Sequence, residues 1–217
     1  MISLAWILMV VVGALPARAP DAMSIVGPGV YRPLFAPAPG QTEIPVAPFL
    51  LDRVPVTNAD FLAFVNAHPE WRRDRVASLL ADEAYLSRWA SPGVLGPAVD
   101  PGRPVVDVSW FAARAYCAAR GLRLPTEAQW ELAAATPARI RADGPAWEWV
   151  LDFDASTLVG GDGVDALRTC GATGGASGDK TDFAAFERFA MRSALRARYT
   201  THDLGFRCAR SVSGGAS

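Results

Sequence analysis

The chain has 217 residues, 51% of them hydrophobic and 20% charged, enough apolar content to bury a core and too much for a disordered tail. Its 21 Lys and Arg against 22 Asp and Glu give a net charge of −1, which supplies no basic footprint for nucleic acid or for an anionic membrane surface. Only two histidines are present, His68 and His202, which excludes a site built from three, and the three cysteines, Cys117, Cys170 and Cys208, leave one over after any pairing.

The run from Ile2 to Leu15 is almost wholly apolar and is followed by Ala17-Arg18-Ala19. That length and small-x-small ending predict a secretory signal peptide over residues 1–19. The run is shorter than the ~20 apolar residues of a spanning helix. A buried core helix or an uncleaved anchor is the other reading. A leader places the protein in the periplasm or outside the cell, where a disulfide persists.

Gly27 to Pro48 is rich in Pro and Gly and reads as extended structure and turns, with Val30-Tyr31 and Ile44-Pro45-Val46 as edge strands. Thr57 and Asp60 form a capping box that opens a helix carrying Phe61, Leu62, Phe64 and Val65 on one face, and His68-Pro69 stops it. Arg73 to Trp89 is expected as a second, more polar helix, followed by a loop from Ser91 to Pro104. The β-branched content of Pro104 to Val108 predicts a short buried strand.

Ser109 is placed to cap a helix that ends at Gly121, a residue suited to the left-handed position after a helix. Thr126 and Gln129 form a second capping box, so a helix should run from Glu127 to about Ala135. Trp110 and Trp130 are the large core anchors of these two helices. Trp147 to Asp152 alternates bulky apolar and acidic residues as a half-buried strand does. Gly160 to Gly178 contains no Gly-Lys-Ser/Thr and is read as a loop on the rim of a groove, not a phosphate cradle. Asp182 to Arg192 reads as a helix with Phe183, Phe186 and Ala190 on one side, and residues 211–217 as a flexible tail.

Five blocks occur in order: Val106-Asp107-Val108-Ser109-Trp110, Ala115-Tyr116-Cys117, Arg123-Leu124-Pro125-Thr126-Glu127-Ala128-Gln129-Trp130-Glu131, Trp147-Glu148-Trp149 and Leu204-Gly205-Phe206-Arg207-Cys208. Together they resemble the formylglycine-generating enzyme, or sulfatase-modifying factor, domain family, over residues 29–210. The resemblance implies an α+β, C-type-lectin-like fold, low in regular secondary structure. Members of that family include oxidases that convert a substrate cysteine to formylglycine, iron-dependent sulfoxide synthases, and periplasmic proteins of siderophore or metalloenzyme maturation.

Carried over position by position, the family pattern is incomplete here. The copper(I)-binding cysteine pair of the oxidases falls on Arg188 and on the segment 174–183, where no cysteine stands, so copper held by a thiolate pair is not expected. Cys117 and Cys208 match positions that form a disulfide in the oxidases. Cys170 then remains as a candidate catalytic thiol, ligand or mixed-disulfide former, with Arg168 nearby to lower its pKa, or else as a small buried hydrophobe. Glu148 matches a residue of a structural calcium site, which makes calcium the implied cofactor, or else it pairs with an arginine. Arg168, Arg188 and Arg192 are candidates to line a groove for an acidic ligand, using the planar fork that lysine lacks. Salt bridges are the plainer use of these arginines.

The resulting expectation is an exported protein acting in the maturation or oxidative modification of another exported protein or metalloenzyme. It is not expected to be a copper-dependent formylglycine oxidase. The alternative is a non-catalytic accessory module that holds a protein or small ligand in the groove. A client protein or peptide is the implied partner, nucleic acid is not, and the chain is expected to be a monomer.

Overall fold

Three helices begin where the sequence caps them. The Asp60 amide donates to Thr57 Oγ1 (3.2 Å) and the Thr57 amide to Asp60 Oδ2 (3.2 Å), opening α1, Asn58–Ala67. Ser109 Oγ accepts from the Ala112 amide at the start of α2, Trp110–Ala119. Thr126 and Gln129 close the second box ahead of α3, Glu127–Ala134. Gly121, at φ +68°, ends the α2 region in the left-handed conformation that glycine adopts without steric cost.

A computed structural model describes residues 22–33, 42–136, 147–156, 167–173 and 195–212. The expected leader, the helix over 182–192 and the end of the tail lie outside them. Around the helices stand β1 (Met23–Val26), β2 (Gly29–Tyr31), β3 (Ile44–Val46), β4 (Phe49–Asp52), β5 (Trp147–Ser156), β6 (Leu167–Thr173), β7 (Leu204–Phe206) and β8 (Ala209–Ser211). They form three small sheets, β1-β4-β8, β2-β3 and β6-β5-β7. Among the described residues only the β5·β7 pair is parallel, with Trp147, Glu148 and Trp149 opposite Leu204, Gly205 and Phe206. This is the α+β arrangement with little regular secondary structure that the resemblance implied.

The main core gathers Phe61, Phe64, Tyr116, Trp149 and Phe206, all at most 3% exposed. Edge-on ring contacts at 5.4 Å join Tyr116 to both Phe64 and Phe206. A second cluster, Val26, Val46, Phe49 and Leu51 with Ala128 and Ala133, seats α3 against the small sheets. Cys117 on α2 and Cys208, between β7 and β8, are joined by a disulfide with Cα atoms 5.5 Å apart across 91 residues of sequence.

Three expectations are corrected. Residues 73–89 are a series of isolated turns, not a helix: local bonds such as Tyr85 to Asp82 and Trp89 to Leu86 do not propagate, because other polar groups of the segment bond elsewhere. The Asp82 amide donates to the Arg198 carbonyl, the Leu86 amide to the Asp107 carbonyl, and Arg73 Nη1 to the carbonyls of Leu86, Ser87 and Trp89. Leu86 itself has φ +49°, outside any right-handed helix, while Tyr85, Leu86 and Trp89 are buried. Pro104 to Val108 likewise forms no strand. The Val105 amide reaches the Val56 carbonyl, but Asp107 turns to φ +57° and breaks the pairing. Within the glycine-rich run, residues 167–173 are not loop but β6, antiparallel to β5.

Replacing both Cys117 and Cys208 by Ala should lower unfolding free energy by about 2–4 kcal/mol in urea titrations, since the bridge closes a long loop of the unfolded chain. Burial pushes the Tyr85 phenol well above its ordinary pKa of 10.0. The folded chain therefore holds that proton more tightly than the unfolded chain, and the contribution is complete below pH 10 and lost as pH rises beyond it. Above about pH 10 the wild-type protein should lose ~1.4 kcal/mol per pH unit more than Tyr85→Phe, read from urea midpoints at successive pH values.

Candidate functional site

The Trp-Glu-Trp block places Glu148 on β5 with 2% exposure, facing Arg207, which is equally buried. Arg207 Nε donates to both carboxylate oxygens at 2.9 Å, and Trp130 Nε1 donates to Oε2 at 3.0 Å. A calcium ion at this carboxylate would stand against the Arg207 guanidinium, so the residues present do not fit the calcium site that the resemblance implied. Among the described residues no group of three or more His, Cys, Asp or Glu is placed to hold a metal ion.

Cys170 lies on β6 opposite Phe153, and Arg168 opposite Ala155. Phe153 is six positions along β5 from Trp147, whose partner is Leu204. A register shift between Trp149 and Phe153 takes up two of those positions: on β6, Cys170 is three residues from Thr173, the partner of Glu148, which is about 10 Å at ~3.3 Å per strand residue. Arg188 and Arg192, and the positions that correspond to the copper-binding pair, lie outside the described residues.

A cleft of about 500 Å³ opens where that 200–203 segment meets the loop 98–107, and it is lined by residues that sequence reasoning had not singled out as functional. Its floor is Asn58 and Trp89, with Val99, Pro104 and Val106 as apolar wall and Arg88, Asp100, Arg103, Asp107 and His202 as polar groups. Asn58, the first residue of α1, is 7% exposed. Its Nδ2 donates to the carbonyls of Asp100 (3.0 Å) and Arg103 (3.1 Å), and its Oδ1 accepts from Trp89 Nε1 (3.4 Å), so one amide shapes both loop and floor.

Asp107 is the buried polar group of the opposite wall, at 6% exposure. Its Oδ2 accepts from Arg88 Nε at 2.7 Å, and Arg88 Nη2 reaches the His202 carbonyl at 3.4 Å. The Arg88 side chain is 54% exposed, and a pair open to solvent on one side contributes only about 0–1 kcal/mol. Against this stand two non-glycine residues at positive φ, Asp107 and Leu86, linked by the hydrogen bond from the Leu86 amide to the Asp107 carbonyl. Such conformations cost roughly 1–3 kcal/mol each and persist where the surroundings impose them, so the ion pair does not by itself account for the geometry. The arrangement presents a guanidinium, held at one edge, to an open cleft. In the sequence its only trace is a charged residue inside the otherwise apolar run Pro104 to Val108.

A match to the sulfatase-modifying factor enzyme 1-like domain spans residues 11–143. The chain belongs to this family. Among its curated relatives, the inactive C-alpha-formylglycine-generating enzyme 2 of Bos taurus is 38% identical over 120 residues, covering 42% of this chain and 39% of that protein. The hercynine oxygenase of Mycolicibacterium thermoresistibile is 33% identical over 133 residues, covering 56% of this chain and 30% of that protein. The chain thus spans less than half the length of either relative. The crystal structure of CarF shares the fold, with a TM-score of 0.52 at 15% identity over 92% of this chain and 100% of that one. A family whose named relatives include both an oxygenase and a protein called inactive fits a modifying or an accessory role.

Glu148→Gln should lower unfolding free energy by about 3–5 kcal/mol in urea, because it leaves Arg207 buried without its charge partner. In the same titration EDTA should leave the wild-type midpoint unchanged; a chelator-sensitive midpoint would restore calcium to this carboxylate.

Proposed function

We propose that this sulfatase-modifying-factor protein serves the maturation of another exported protein, as an accessory module that holds a segment of its client in the Arg88–Asp107 cleft. The observation that carries the reading is the cleft itself: an apolar wall and two arginines, one of them anchored by a carboxylate, meet in one opening large enough for a short peptide segment. Export to the periplasm or beyond is part of the proposal, supported by the Cys117–Cys208 bridge, which is stable in an oxidising compartment. The chain acts as a monomer, and its net charge of −1 favours a protein client over nucleic acid. Among the described residues, no helix is long and apolar enough to cross a membrane.

Cys170 favours a second, oxidative reading. With Cys117 and Cys208 bridged to each other, it is the one cysteine of the three without an intrachain disulfide partner. In this reading the Cys170 thiolate attacks a client disulfide. A new sulfur–sulfur bond forms as the client's bond breaks, and the client's other sulfur leaves as a thiolate, so the exchange needs no further oxidant. Arg168, two positions along the same strand, would favour the thiolate, and Arg188 and Arg192 would add cationic contacts to the client.

Intact mass of the exported protein after alkylation should show one blocked thiol, and three would remove both the bridge and the export argument. Acid-quenched extracts of the producing cells, run without reductant, should contain mixed-disulfide species of this chain that Cys170→Ser abolishes. An unchanged pattern in that variant would overturn the thiol reading and leave the holding role standing alone.

A further inference from the structure

The cleft also carries information about what it holds. Arg88 has five guanidinium N–H donors, of which the Asp107 carboxylate and the His202 carbonyl take one each, and among the described residues Nη1 has no partner. Arg103, exposed on the same cleft, makes no side-chain hydrogen bond to any described residue. Among the described residues, two cations therefore have donors left over. The two carboxylates are placed differently. Asp107 is committed beneath Arg88, whereas Asp100 is exposed, with one oxygen on the Gly102 amide.

We propose that the cleft receives a single carboxylate of the client, on Arg88 and Arg103, with Asp107 as the positioning residue that fixes the Arg88 fork. The proposal rests on the holding role and names the chemistry that role selects. A monoanion fits better than a phosphate dianion, because Asp100 and Asp107 already offset the two guanidinium charges and each further negative charge on the ligand adds to their repulsion. The planar guanidinium matches a carboxylate in two parallel bonds. Val99, Pro104 and Val106 line the same opening and give an apolar side chain next to that carboxylate a surface to cover. The positive φ of Asp107 acquires a purpose: it turns the carboxylate of an otherwise apolar run toward Arg88. The carboxylate can come from a chain terminus or from an Asp or Glu side chain, and the two share this chemistry.

The full exported chain is titrated by fluorescence anisotropy with three labelled peptides of apolar sequence. One ends in a free carboxylate, one is the same peptide amidated, and one is amidated with an internal Asp. The free-acid or the internal-Asp peptide should bind at least about tenfold more tightly than the amidated one, and whichever does so identifies the source. Arg88→Gln should remove that preference. Asp107→Gly accepts positive φ freely and should keep or raise the melting temperature, yet it should weaken the acidic peptide and leave the amidated one unaffected, a selectivity that a purely structural aspartate would not produce. Asp107→Asn, which also tolerates this conformation, serves as the second variant and should behave alike. Equal binding of all three peptides overturns the carboxylate proposal while preserving the holding role. Loss of both peptides in the Asp107 variants also overturns it. If none of the three peptides binds, both are overturned.

Discussion

Arg207 makes the contacts on which most of the described structure converges. Its guanidinium, 2% exposed, donates from Nε to Glu148 on β5 and from Nη1 to the Arg53 carbonyl (2.7 Å) in the segment leading to α1. The next residue, Cys208, is bridged to α2, and its amide donates to Asp52, which also accepts from Arg120 at the end of α2 (2.9 Å). Burial works against the charge of Arg120, but the hydrogen bond and negative charge of Asp52 outweigh it and raise its pKa. Two successive residues thus fasten β5, α2 and the chain entering α1 to the link between β7 and β8. Charges taken this far out of water must be fully paired, which makes the geometry all-or-none: every partner has to be in place for any of it to be tolerated.

Two tryptophans extend the same logic toward the cleft. Trp149 Nε1 donates to the Val108 carbonyl (2.9 Å) and Trp110 Nε1 to the Val150 carbonyl (2.8 Å), so β5 and the chain entering α2 exchange indole bonds in both directions. Each indole buries its ring while its one donor finds a carbonyl, the condition under which tryptophan is stable in a core. This fixes Val108, and immediately before it Asp107 turns out of the core toward Arg88. The loop opposite is held by Asn58 at the mouth of α1. Cleft walls made of irregular chain are therefore positioned by side chains rooted in helices and core, which is how loops acquire a defined binding geometry.

What could be read in the sequence follows the range of the interactions involved. The capping boxes at Thr57–Asp60 and Thr126–Gln129 join residues three apart, and both helices start where those residues place them. The strands Val30-Tyr31 and Ile44-Val46 were visible from their flanking turns. The segment 73–89 differs from its expected helix because Ala81, Tyr85 and Trp89 face the core at a spacing of four, compatible with a helix, until Leu86 adopts positive φ to meet Asp107. Pro104 to Val108 was misread for the same reason from the other side. Among candidate site residues, Glu148 reads in the sequence as a calcium ligand or the partner of an arginine, and only the folded chain brings Arg207, 59 residues away, against it.

The sequence by itself determined the family, the capped helices and the cysteine count that leaves one thiol over, because each of these depends on residue identity or on neighbours a few positions apart. Only the tertiary structure decided that Arg88, 19 residues from Asp107 in sequence, would be anchored by it over a cleft shared with His202. It also paired Cys170 on β6 with Phe153 on β5. The physical reason is that burial and pairing across long loops carry no local signature: a charged residue in an apolar run reads the same whether it ends in a salt bridge, a metal site or a binding cleft, until the chain that closes over it is in place.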